Sequence, residues 1–135
     1  MNIPDFIVVM LTLFYELGIC DINEIRCGAR VIQIRSEEGK SLLSYREICL
    51  QPKQFSCWNG SNKKKILREY QGGKTQASPN WAKVKVVMLE LYRGDLDYLP
   101  CWNHYYNPDL CNPSWAKDMK QTRNMGYHIF GRIER

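Results

Sequence analysis

A chain of 135 residues, 44% hydrophobic and 24% charged, is long enough for one domain with a real core, too short for two, and too apolar to be disordered throughout. Its formal charge of +5 draws it toward polyanions, whether nucleic acid, anionic lipid or acidic wall polymer, without choosing among them. Six cysteines are too sparse for a disulfide scaffold: Cys20, Cys27 and Cys49 sit among apolar neighbours and read as small buried hydrophobes, whereas Cys101 and Cys111 flank an aromatic stretch and are open to a disulfide or a metal ion.

Pro4 suits the first position of a helix and Gly18 a stop, which predicts a first helix over residues 4–17. Its run Ile7-Val8-Val9-Met10-Leu11 is too short to span a membrane. With no basic residues before it, Asp5 and Glu16 in and around it, and no small-residue cleavage site after it, the run reads as a core helix rather than a secretory signal. Asp21 followed by Glu24 has capping-box spacing and predicts a second helix to about Arg35. Ser44 and Glu47 repeat that spacing and open a short helix that ends before Pro52. Residues 53–78 are polar and glycine-containing, and Lys63-Lys64-Lys65 within them reads as a solvated loop or helix face. Ser78-Pro79 then starts a long helix, with Val84, Val87, Met88 and Leu91 on one stripe and Gly94 beyond its end.

The last third is different in kind. Seven of the sixteen aromatic residues fall between Tyr98 and Phe130, together with both histidines, His104 and His128, and with Asn103, Asn107, Pro108, Asn112 and Pro113. Tyr and Trp beside Asn and His present flat apolar faces with polar edges, which suits a sugar ring; the plainer reading is an aromatic core beneath a loop. Loops and short strands are expected here, so the fold class is α+β, mainly helical, as a single domain over residues 1–135 with a small β-containing C-terminal part.

Among the carboxylates Glu16 stands out. Leu13, Thr12 and Val9 lie one and two turns back from it, and Phe14 and Tyr15 precede it. Apolar surroundings disfavour the anion and raise the pKa, which equips a carboxyl to act as a general acid near neutral pH. Glu24 and Glu47 have capping spacing and read as structural.

These residues resemble the SleB-like cell-wall hydrolases, the spore-cortex-lytic enzymes and their phage relatives. Glu16 stands nineteen positions before Arg35, with Ala29 and Val31 between them, where that family has a Glu-Ala-Arg-Gly-Glu motif and an Ala/Val-rich helix ending in Asn-Arg. Gln51-Pro52-Lys53-Gln54-Phe55-Ser56-Cys57 matches its Gln-Pro-Gly-Gln-Phe-Ser segment. His104-Tyr105-Tyr106-Asn107-Pro108, Pro113-Ser114-Trp115-Ala116 and Gly126-Tyr127-His128-Ile129-Phe130 match its aromatic end. Leu17-Gly18-Ile19-Cys20 departs from the motif, leaving the second acid missing at Cys20, and Ile34 replaces the Asn.

The resemblance implies a lysozyme-like fold, related to lytic transglycosylases, acting on peptidoglycan glycan strands. Glu16 is the expected catalytic acid. Gln54, His104, Tyr105, Tyr106 and Asn107 are the expected substrate-orienting groups, with Phe55 as a platform; Phe55 and Trp115 have rival roles in the core, and His128 reads as structural. One carboxylate suffices for a lytic transglycosylase cleaving the β-1,4 bond between N-acetylmuramic acid and N-acetylglucosamine, which needs no cofactor and no metal, whereas ordinary glycosidases use two; a muramidase, with water as nucleophile, stays open. The expected place of action is the bacterial cell wall or periplasm; with no export signal and no wall-binding domain in view, a phage lysis or virion protein fits. Three rivals stay open. A catalytically inactive peptidoglycan-binding protein follows from the acid missing at Cys20. A zinc module would use Cys101, His104, Cys111 and His128, although their spacing matches no standard signature. A nucleic-acid-binding module follows from the charge, but the basic residues do not interleave with aromatics as a single-strand platform requires.

Overall fold

The computed structural model describes residues 2–39, 43–51 and 54–134. Pro52 and Lys53, part of the 51–57 segment, lie outside them. Helix α1 (Asp5–Leu17) is followed by α2 (Ile22–Glu38), α3 (Tyr45–Leu50), a 3-10 turn at Ser56–Trp58, α4 (Asn62–Gln71) and α5 (Pro79–Arg93). Strands β1 (His104–Tyr106), β2 (Lys120–Asn124) and β3 (Ile129–Arg132) form an antiparallel sheet in the order β1-β3-β2, with a second 3-10 turn at Ser114–Asp118. The protein is mainly helical α+β, and among the described residues its strands are confined to the aromatic C-terminal third.

Helix α1 is the centre of the molecule. Val8, Val9, Met10, Leu11, Thr12, Leu13 and Leu17 are all buried, so it shows no solvated face along its middle and packs against α2, α3, α5 and the Ser56–Trp58 turn. The hydroxyl of Thr12 donates to the Val8 carbonyl at 2.8 Å and accepts from Trp58 Nε1 at 2.8 Å, so burial leaves this polar group satisfied. Pro4 acts as N-cap rather than first helical residue, because its ψ of 152° is not helical.

In α2 the side chain of Asp21 accepts from the Glu24 backbone at 3.0 Å, half of the expected box; the reciprocal half is missing because the Glu24 carboxyl points elsewhere. The helix also runs to Glu38, one turn beyond Arg35. In α3 the Ser44–Glu47 box is complete. Helix α5 follows its punctuation: Ser78 caps it, Pro79 opens it, and Gly94 closes it at φ 79°, a left-handed conformation that costs glycine no Cβ clash. Val84, Val87, Met88 and Leu91 face the core as the stripe predicts. Arg26 on α2 clamps Glu90 on α5 with two bonds, of 2.9 and 3.2 Å.

The basic run belongs to α4, a helix with only Ile66 buried. A second, smaller apolar cluster of Cys27, Val31, Trp102 and Phe130 joins α2 to the sheet. All six cysteines are unpaired; Cys101 and Cys111 are exposed thiols. Among the described residues no helix is long and apolar enough to cross a membrane.

Candidate active site

Glu16 sits in the last turn of α1, where the central helix surfaces against the Ser56–Trp58 turn and β1. It is half-buried. One carboxylate oxygen accepts from Ser56 Oγ at 3.3 Å and the other from the Tyr105 hydroxyl at 3.4 Å. Burial raises its pKa. The hydrogen bonds from Ser56, the Cys57 backbone and Tyr105, and the charge of His128, oppose that rise without cancelling it. Burial and the neighbouring Glu16 hold the Tyr105 phenol far above its usual pKa, so it stays a hydrogen-bond donor. Glu16 and Ser56 open onto a cavity of about 310 Å³ whose other wall is α4, with Asn62 and Lys65.

The pleat of β1 divides the expected substrate residues. Successive side chains on a strand point to opposite faces, so Tyr105 turns inward to Phe55, Phe130 and His128, while His104 and Tyr106 both pack on Trp115, at 4.9 and 5.8 Å between ring centroids. Tyr105 thus joins Glu16, and its two neighbours do not. Phe55 is 2% exposed and covered by the Arg35 guanidinium 5.4 Å from its ring centre, so it backs the site from the core and presents no open face. Asn107 builds the turn after β1, its side chain accepting from the Asp109 backbone at 2.9 Å.

Gln54 and His104 meet at a second cavity, of about 520 Å³, shared with Arg35, Glu38 and Arg132. Arg35 organises this corner by donating to Gln54 at 2.9 Å and to the Asn103 carbonyl at 2.8 Å, which ties α2 to β1. Four of the seven expected residues therefore fall into two neighbouring groups, Glu16 with Tyr105 and Gln54 with His104, while Phe55, Tyr106 and Asn107 line neither cavity.

Two residues assigned structural roles converge on the first group. Glu24, 1% exposed, accepts from the backbone N–H groups of Tyr127 (3.3 Å) and His128 (2.9 Å) and lies 2.7 Å from His128 Nδ1. Cys20 Sγ is 4.0 Å from that nitrogen. Cys20, Glu24 and His128 are the one trio of metal-ligand types brought together among the described residues, and Cys101, His104 and Cys111 do not join it. Hydrogen bonds already satisfy the Glu24 carboxylate, and burial with Glu24 nearby pushes the Cys20 thiol up to about 12. Ser56 carries no signal in the sequence beyond its place in the 51–57 segment, and Glu24 none beyond its capping spacing.

Residues 26–131 match the family model described as cell wall hydrolase. No curated protein and no solved structure matches the chain. Glu16 precedes the matched span, but Ser56, Cys57 and Tyr105, which surround its carboxyl, all lie within it.

Proposed function

The chain belongs to the cell wall hydrolase family, whose substrate is peptidoglycan, and from that premise we propose that it cleaves the β-1,4 bond between N-acetylmuramic acid and N-acetylglucosamine with Glu16 as the proton donor. The observation that supports this most is the setting of Glu16: a carboxyl whose pKa burial raises, at a cavity wall, with two hydroxyl donors on its oxygens. The raised pKa keeps the proton available for the glycosidic oxygen. Once it is given up, Ser56, Tyr105 and the Cys57 N–H stabilise the carboxylate that remains.

As the bond from the muramic C1 to the bridging oxygen breaks, the sugar's own N-acetyl group stabilises the charge at C1. Glu16, now a base, takes the proton from the C6 hydroxyl while O6 closes on C1. The product is a 1,6-anhydro end, and the acid is regenerated. This lytic transglycosylase route needs no second carboxylate. Gln54 and His104, at the neighbouring cavity, would bind sugar units further along the strand, with Tyr106 and Asn107 shaping the rim.

Digestion of purified sacculi, with products read by mass spectrometry, tests the reading. Wild type is expected to release anhydro-ended muropeptides and Glu16→Gln none while staying folded; substantial cleavage by a folded Glu16→Gln would overturn the assignment.

A further inference from the structure

The Glu24–His128 pair has no part in the route above. Glu24 is the one buried acid among the described residues, and a buried carboxylate costs several kcal/mol unless partners surround it. The turn between β2 and β3 is shaped to supply them: at Gly126, φ is 135° and an added Cβ would lie 2.5 Å from a Glu24 oxygen. A carboxylate only accepts, so at 2.7 Å it is His128 Nδ1 that carries the hydrogen, which fixes the tautomer: whenever the ring is neutral, its lone pair is on Nε2. Nε2 has no protein partner among the described residues, yet it is not a buried unsatisfied atom, so it meets solvent. The ring stands edge-on to Tyr105, 5.4 Å between centroids, and the Tyr105 hydroxyl is on Glu16. A histidine held at one nitrogen by a buried carboxylate, with the other nitrogen unbonded and its ring packed on the tyrosine that binds the acid, has the arrangement of a general base.

We propose that His128, oriented by Glu24, activates water beside Glu16, giving the protein a second, hydrolytic outcome at the same bond. The inference rests on Glu16 as the acid. After Glu16 protonates the leaving oxygen and the C1–O bond breaks, a water oxygen bonds to C1 and its proton passes to His128 Nε2. The imidazolium returns that proton to solvent, Glu16 takes one up, and the sugar is left with a reducing end. Glu24 is a positioning residue that holds the ring and supports its charge; closure by the C6 hydroxyl competes for the same intermediate.

The test is the ratio of reducing to 1,6-anhydro ends released from sacculi, after borohydride reduction and mass spectrometry. Wild type is expected to give both; anhydro ends alone would overturn the proposal without any variant. In His128→Gln the ratio is expected to fall by about a hundredfold, and an unchanged ratio in a folded variant would overturn the proposal. Should that variant fail to fold, Glu24→Gln is read in the same way, with the wild-type result standing by itself. Cleavage that survives Glu16→Gln marks failure of the acid assignment instead, and no cleavage by wild type overturns both.

Discussion

At the scale of single residues, the chemistry turns on how Glu16 is surrounded. Its raised pKa makes a prediction about stability as well as activity. A carboxyl that holds its proton more tightly in the folded state than in the unfolded one loses stability as pH rises from the ordinary glutamate value through the raised one. Glu16→Gln has no such proton to lose, so the difference in melting temperature between variant and wild type should move in the variant's favour across that window and level off above it; parallel curves across pH would contradict this. Tyr105→Phe removes a donor that favours the Glu16 anion. We expect turnover to fall about fivefold, for about 1 kcal/mol of lost hydrogen bonding, and the alkaline limb of the pH–rate profile to move up. Glu16 was legible in the sequence because its apolar neighbours are one and two turns away on the same helix. Glu24 was not: its spacing from Asp21 is local, whereas its true partners lie more than a hundred positions on, at Tyr127 and His128.

At the scale of elements, boundaries marked by special backbone chemistry were legible. Ser78, Pro79 and Gly94 frame α5 as expected, and Ser44 and Glu47 open α3. Helix α4 was not, because one buried residue, Ile66, creates no periodic signal among lysines. The three consecutive residues of β1 look like one functional cluster in the sequence, and only the pleat shows that Tyr105 parts from His104 and Tyr106. The turn between β2 and β3 gives a sharp prediction. Gly126→Ala combines a positive φ with a Cβ pressed against the Glu24 carboxylate, and should destabilise by about 1–3 kcal/mol in denaturant melts. Ser44→Ala, which removes only a cap, should cost about 1 kcal/mol.

At the scale of the molecule, two apolar clusters share the work: a large one around α1, and a smaller one of Cys27, Val31, Trp102 and Phe130 that fastens the sheet to α2. Trp102→Ala should cost about 3–5 kcal/mol and, by loosening β1 and β3, depress activity more steeply than an equally costly truncation in α5. The mainly helical architecture was legible from periodicity; the fastening of the sheet was not, since it joins α2 to residues some seventy to a hundred positions later. The cavity at Glu16 has two unlike walls. One is α1, buried through its middle; the other is α4, held to the core by buried Ile66 and half-buried Tyr70. Amide exchange should therefore be graded across the cleft: α1 amides exchanging only through global unfolding, and α4 amides through frequent local opening. A polymer as broad as a glycan strand would meet one yielding bank and one fixed one, so the passage can widen for it while the proton donor keeps its place.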